Sequence, residues 1–530
     1  MIRSRRKLTL TIPFLASGLF SAGSMLIGCS ATTPAFNTPQ MTPAPLAARS
    51  NSRTSKSDEA ARANAEAKLP ELEKVTTPPN LFTVSPYLQW GKGMSGKTAS
   101  VALYWETPNA SQDATPDSWI IETRQGAAGT WQKITTAPVL KPLAVPGVTP
   151  QMLWSATLDG LTPSDLFDYR VSTAGKPVFI GRARAPKEAT LPYRFVVFGD
   201  CSAGTPAQKK IAYQTYRAKP DFVFITGDIV YDRGLASEYL SKFFPIYNAD
   251  NADPKVGAPL LRSTLLLAAI GNHDGDYSDF EKWPDALAYF YYWNLPLTGP
   301  ELSSGGPNTP KVKADNDAEK AMEMASGGQF PRIENYSFDY GNSHWTVLDS
   351  NTYTNWNSKE LLKWLENDLT SAQKAKWRFV AFHIAPFHTS KEHSDDQWMR
   401  VLCPLFEKYK VDVVWSGHVH NYQRSYPLTF VPEGGPDEKG RVAGKWTLDQ
   451  TFDGDKNTKP TAPIYIVTGG GGAPLYDPDI QQKPADWQPF IKKYIADTHS
   501  LTQVDVDGSK LSVQQISEDG KALDKFKITK

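Results

Sequence analysis

Apolar residues alternate with polar ones in one part of this chain and run together in another. Over residues 82–186 the pattern has period two. Segments 99–105 and 167–171 swing between apolar and polar positions, with turn residues between such segments. Short, regularly spaced alternating segments predict an all-β sandwich. After Pro192 the pattern changes. Apolar runs at 195–198, 222–225, 265–270, 345–348, 379–382 and 411–415 predict strands covered on both faces. Segments 211–216, 361–369 and 398–409 have helical spacing and fall between those runs. Strands alternating with helices predict a mixed α/β region. Segments 249–263 and 297–328 are rich in Gly, Pro, Asn and Asp, so they read as loops, placed to wall a pocket. No internal repeat is evident.

The chain has 530 residues, enough for two or three domains. Residues 30–80 are rich in Ala, Thr, Ser and Pro, too poor in apolar side chains to offset their ordering entropy. They read as a flexible tether with a transient helix over 57–75. Residues 1–28 carry Arg3, Arg5, Arg6 and Lys7 and no acid, then an apolar run over 8–27, the pattern of a targeting segment. Beyond that segment 53 basic side chains face 56 acidic ones, a net charge of −3. That balance gives no reason to expect a nucleic-acid partner. Beyond Cys29, the two cysteines Cys201 and Cys403 lie far apart and read as free and buried.

The candidate chemistry lies in four short motifs in a fixed order. They are Gly199-Asp200-Cys201, Gly227-Asp228-Ile229-Val230-Tyr231, Gly271-Asn272-His273-Asp274 and Gly417-His418-Val419-His420, with His383 between the last two. Six of the eight histidines lie in or near them. Each motif falls where an apolar run ends, and open α/β sheets build their sites beyond the carboxyl ends of strands. Histidine with carboxylate and amide oxygen is a ligand set for transition metals.

This order of motifs resembles the calcineurin-like metallophosphoesterase superfamily, in its purple acid phosphatase branch. The resemblance implies a fibronectin type III-like sandwich over 81–188 and a four-layer αββα metallophosphoesterase domain over 189–530. In most of the superfamily a histidine stands two residues after the first Asp; here Ser202 occupies that place. Purple acid phosphatases replace it with a tyrosine, and Tyr231 matches that position. The implied ligands of a first metal are Asp200, Asp228, Tyr231 and His420. Those of a second are Asp228, Asn272, His383 and His418. A phenolate ligand favours Fe(III), and the second ion is expected to be Zn, Mn or Fe(II). The implied nucleophile is a metal-bound hydroxide. His273 is expected to contact phosphate and Asp274 to orient it. His393 is taken ahead of His388 as proton donor, with Glu392 standing where plant-type members carry a histidine. Arg424, His344 and His499 read as structural, and the run 468–472 as a close backbone approach to the site.

Leu26-Ile27-Gly28-Cys29 resembles a bacterial lipobox, which implies lipidation of Cys29 after removal of 1–28 and a membrane tether over 29–80. Ser30 resembles an outer-membrane sorting residue, and Ser4-Arg5-Arg6-Lys7-Leu8 is compatible with twin-arginine or ordinary export. The expected function is hydrolysis of phosphate monoesters. A phosphodiesterase or nucleotidase on the same centre is the alternative, and a surface binding protein with a residual metal site is the more remote one.

Overall fold

In the computed structural model, residues 70–108, 115–126, 129–146 and 148–530 are described. Segment 1–28, Cys29, the tether as far as residue 69 and most of the helix expected over 57–75 lie outside them; residues 70–75 are not helical.

The first strands are β1 (Val84–Ser95), β2 (Thr98–Pro108), β3 (Trp119–Gln125), β4 (Gln132–Lys133), β5 (Val139–Leu143), β6 (Gln151–Leu161), β7 (Leu166–Thr173) and β8 (Lys176–Arg184). They form two antiparallel four-stranded sheets, in the orders β1-β2-β6-β5 and β4-β3-β7-β8. Trp105 on β2 pairs across the ladder with Trp154 on β6. Trp119 on β3 meets both indoles at 5.4 and 5.9 Å between ring centroids, so three tryptophans join the two sheets.

The remaining strands are β9 (Tyr193–Phe198), β10 (Phe222–Ile225), β11 (Leu265–Ala268), β12 (Tyr336–Tyr340), β13 (Ser343–Val347), β14 (Trp377–Ile384), β15 (Val413–Gly417), β16 (Tyr422–Ser425), β17 (Leu428–Pro432), β18 (Gly444–Leu448), β19 (Ile464–Thr468), β20 (Ile491–Ile495), β21 (Ser500–Asp507), β22 (Lys510–Ser517) and β23 (Ala522–Thr529). One sheet has six strands, β11-β10-β9-β21-β22-β23, and the other seven, β12-β13-β14-β15-β19-β16-β20. β17 and β18 pair separately. Strands β9, β10 and β11 run parallel, as do β13, β14, β15 and β19.

Why these strands read as continuous apolar runs is visible in their alternation. Phe379 and Ala381 of β14, Val413 and Trp415 of β15, and Ile464 and Ile466 of β19 join the core shared with the six-stranded sheet. Their neighbours Val380, Phe382, Val414 and Tyr465 join a second core with Leu361, Leu365 and Leu369 of the helix Lys359–Ser371. Both faces are therefore covered. Between the sheets, Phe195 meets Trp345, Phe379 and Trp415 at 5.1, 5.6 and 6.0 Å. This aromatic layer fixes one sheet against the other and brings their carboxyl-end loops together.

The described residues from 70 onward form one compact unit, within which the small sheets lie against the larger ones. Tyr87 donates to the Tyr292 carbonyl at 3.1 Å, and the buried Lys141 to that of Tyr291 at 3.3 Å. Segment 249–263 packs on the small sheets: Leu88 N–H donates to the Leu261 carbonyl and Tyr169 to that of Arg262. Segment 297–328 is not all loop. It holds the helix Asn316–Ser326, capped by Asp315 and ended by Gly327. Its Ala318, Met322 and Ala325 repeat at helical spacing, and the Gly and Pro that suggested a loop belong to its flanks. The helix expected over 398–409 is a 3-10 turn, Trp398–Leu402, then the helix Cys403–Lys408. Pro404 lacks the N–H that a continuous helix would need there. Cys201 and Cys403 are free and buried, as their separation in sequence suggests.

Candidate metal centre

Five strand ends carry the motifs. Asp200 follows β9, Asp228 follows β10, Asn272 follows β11, His383 lies near the end of β14, and His418 and His420 follow β15. Asp200, Asp228 and His418 hold left-handed backbones, with φ of 58°, 49° and 68°. Such conformations cost about 1–3 kcal/mol each and gather at functional sites. The glycines before the motif residues are explained by crowding. A Cβ on Gly271 would stand 2.2 Å from Oδ1 of Asp228, and one on Gly417 would stand 2.5 Å from Oδ2 of Asp200.

Two groups of donors converge. In the first, Tyr231 Oη lies 3.3 Å from Asp200 Oδ1, 3.0 Å from Asp228 Oδ2 and 3.0 Å from His420 Nε2. His420 Nε2 is 3.4 Å from Asp200 Oδ1. In the second, His383 Nε2 lies 3.1 Å from Asn272 Oδ1 and 3.2 Å from Asp228 Oδ1. His418 Nδ1 is 3.1 Å from the same Asn272 oxygen. Asp228 thus offers one oxygen to each group. Neighbouring ligands on an ion with bonds of about 2.0–2.2 Å stand roughly 3 Å apart. The donor set and its spacing therefore fit two cations that share Asp228.

The ring nitrogens turned away from the centre are all engaged. His383 Nδ1–H donates to the Thr226 carbonyl at 2.7 Å, and His420 Nδ1–H to that of Pro474 at 2.8 Å. His418 Nε2–H donates to Asp396 Oδ2 at 2.9 Å, with burial holding that ring down at about 4. These partners leave Nε2, Nε2 and Nδ1 as the lone-pair atoms facing inward. Burial first, then the charges of Asp228 and Asp200, push the Tyr231 phenol well above its ordinary value. A strongly Lewis-acidic cation is what would hold it as a phenolate. Ser202, where the superfamily pattern has histidine, is buried and accepts from Gln208 Nε2 at 3.0 Å.

His273 is the more open member. Its side chain is 27% exposed, its Nδ1–H donates to the Asp232 carbonyl at 2.6 Å, and its Nε2 lies 3.8 Å from Asp228. Asp274 does not orient that ring. It is fully buried and accepts from the backbone N–H of Gly271 at 2.9 Å and Ile229 at 3.2 Å, bracing two motifs against each other. His393 packs on His418 with centroids 4.1 Å apart, and its Nε2 is buried without a protein partner. His388 is buried with neither nitrogen partnered, and burial drives its pKa down to about 3. Arg424 is tied to Asp524 at 2.7 and 3.2 Å, away from the donors. His344 and His499 are bound to Asp339 and Asp368 and to the Ala473 carbonyl. In the glycine run, a Cβ on Gly469 would meet Asp200 Oδ2 at 2.7 Å, the close approach expected of it.

Two side chains at the site carry no sequence signal. Asp396 stands in an acidic loop stretch, and Tyr476 stacks on His420 at 4.0 Å with rings 10° apart. Only the folded loops bring them in.

The family profile described as calcineurin-like phosphoesterase matches residues 193–422, and that of iron/zinc purple acid phosphatase-like protein C matches residues 462–525. The fold is the mixed α/β metallophosphoesterase fold. Within it the chain is similar to purple acid phosphatases. An uncharacterized protein of Mycobacterium tuberculosis is 25% identical over 369 residues, covering 62% of this chain and 64% of its own. Purple acid phosphatase 13 of Arabidopsis thaliana is 26% identical over 334 residues, covering 60% and 53%. Another Arabidopsis relative, named probable inactive purple acid phosphatase 27, is 26% identical over 360 residues, covering 62% and 50%. The chain thus spans about half to two-thirds of the length of these relatives. Among solved structures, the purple acid phosphatase PPD1 of yellow lupin superposes with TM-score 0.55 at 18% identity, covering 85% of this chain and 75% of that one. PhoD superposes with TM-score 0.50 at 15% identity, covering 86% and 94%.

Proposed function

We propose that the chain is a phosphatase that hydrolyses phosphate monoesters at a dinuclear metal centre. The observation that carries this reading is the convergence of two donor groups on a shared Asp228, with Tyr231 in one of them. Asp200, Asp228, Tyr231 and His420 would hold Fe(III); Asp228, Asn272, His383 and His418 would hold Zn, Mn or Fe(II). When bound, two such ions supply Lewis acidity and an activated water. The chain's own residues do the rest. His273, fixed through Nδ1 by the Asp232 carbonyl, presents Nε2 to a phosphate oxygen. His393 presents its unpartnered Nε2 to the leaving oxygen as the proton donor. Tyr476 and the His420 ring stack into a flat wall beside them.

The strands over 84–184 are read as the fibronectin type III-like module, and Leu26 to Cys29 as the lipid attachment that tethers the protein to a membrane. The reading is tested on the purified full chain by metal analysis, a visible spectrum and hydrolysis of mono- and diesters. Two ions, a purple charge-transfer band and a monoester preference support it. Two divalent ions and no colour remove Fe(III) from it. Diester preference favours the phosphodiesterase alternative, and the absence of both metal uptake and hydrolysis favours a binding protein.

A further inference from the structure

One carboxylate oxygen at the edge of the site has two imidazole partners. Asp396 Oδ2 accepts from His418 Nε2 at 2.9 Å and from His393 Nδ1 at 2.9 Å. The two rings lie face to tilted face, with centroids 4.1 Å apart and planes at 57°. His418 turns its other nitrogen toward Asn272 and the inner donors. His393 turns its other nitrogen into a buried position where it has no hydrogen-bond partner. The loop that carries Asp396 is held in turn: Gln397 donates from Nε2 to the Ser394 carbonyl at 2.7 Å, and Asp395 is paired with Arg441.

We propose that Asp396 is a positioning residue shared by the metal centre and the proton donor. This rests on the reading of the site given above. By accepting the His418 Nε2–H, Asp396 fixes that ring so that Nδ1 carries the lone pair for the second ion. By accepting the His393 Nδ1–H through the same oxygen, it leaves Nε2 as the atom that carries the mobile proton. An outer partner of this kind is worth about 10–100-fold in metal affinity, and a positioned acid about 10²–10⁴-fold in rate. Because one atom does both jobs, its removal must affect both. A partner that served only the metal, or only the fold, would not change how the rate depends on the leaving group.

The test uses the full chain as wild type, Asp396→Ala, Asp396→Asn, His393→Ala and the Asp396→Ala/His393→Ala double variant. Two quantities are read: ions retained against a graded chelator, and, at saturating metal, turnover of an alkyl phosphate relative to 4-nitrophenyl phosphate. Asp396→Ala should release one of two ions at about 10–100-fold lower chelator. With metal restored, it should lose about 10²-fold on the alkyl ester and much less on the aryl ester, which leaves without a proton. Asp396→Asn keeps an acceptor oxygen and should recover most of both. In the His393→Ala background the alkyl penalty of Asp396→Ala should vanish. If either effect is missing, or the alkyl penalty survives without His393, the shared role is wrong. Should Asp396→Ala aggregate, Asp396→Ser reads the same two quantities. Wild-type protein that retains no metal and cleaves neither ester overturns the reading of the whole site, and this proposal with it. A metal-loaded, active wild type with an unaffected Asp396→Ala overturns the proposal alone.

Discussion

The phenol oxygen of Tyr231 stands 3.0 Å from Nε2 of His420. Each comes from a different sheet, Tyr231 from the loop after β10 and His420 from the loop after β15. Neither loop alone defines a site. Replacing Tyr231 with Phe deletes one oxygen from the first donor group and leaves the ring, which is 6% exposed. The full-length variant should fold with a circular dichroism spectrum like wild type. It should lose any visible charge-transfer band and retain less iron after dialysis. An unchanged band in Tyr231→Phe would remove the phenol from the metal's ligands.

Gly271 is a second point where geometry decides. An added Cβ would lie 2.2 Å from both the N and Oδ1 of Asp228, and Asp228 has no room to withdraw because His383 and Tyr231 meet its two oxygens. Gly271→Ala should therefore disrupt the shared carboxylate, with metal content falling toward zero and activity falling at least 10²-fold, as for a misplaced reacting geometry. Metal analysis beside a thermal melt separates this from global unfolding. A Gly271→Ala protein that keeps two ions would show that the loop relaxes more than the contacts imply.

How much of this was legible in the sequence follows from where the signals lie. Asp200, Asp228, Asn272, His383, His418 and His420 follow or close apolar runs, so the strand-end rule places them together, while their assignment as ligands rests on the motif resemblance. Tyr231 is singled out by the resemblance, because Ser202 stands where most of the superfamily has histidine. Asp274 was misassigned because adjacency in sequence suggested an acid–base pair with His273, whereas its side chain turns inward to the Gly271 and Ile229 amides. Asp396 and Tyr476 were not found, because their meaning depends on loop placement rather than on any local pattern. The strands β21, β22 and β23 were not read either. Their Thr, Gln and Asp content hides the alternation that Leu501, Val504, Val506, Leu511 and Val513 contribute to the core.

Arg424 and Asp524 make a further prediction. Arg424 is 5% exposed, and its guanidinium holds Asp524 through two bonds and lies 4.4 Å over the ring of Phe526. This pair ties β16 of one sheet to β23 of the other. Removing one partner of a buried pair costs about 3–5 kcal/mol, because the other charge is left uncompensated. Arg424→Ala should lower the unfolding free energy of metal-loaded protein, read from urea titration, by that amount. Its kcat/KM at 25 °C should stay within about twofold of wild type, since the Arg424 guanidinium meets Asp524 and Phe526 and none of the donor residues. A large loss of kcat/KM without loss of stability would instead move Arg424 into the substrate site.

His344 predicts a pH-dependent part of the stability. It sits on β13 between Asp339 Oδ1 at 2.7 Å and Asp368 Oδ2 at 3.1 Å, with its side chain 9% exposed. Burial opposes its charge, but the two carboxylates outweigh burial and raise the ring from 6.5 to about 9. A raised folded-state value means the stabilisation is complete below the unfolded value and is lost as pH rises through the folded one. The window is therefore about 6.5 to 9. A shift of this size corresponds to about 3 kcal/mol. Unfolding free energy measured across that window should fall for wild type by an amount of this order. His344→Gln, which has no charge to lose, should give a flatter profile and a lower stability near pH 6. Parallel profiles for the two proteins would show that the ring between Asp339 and Asp368 does not carry the charge assigned to it.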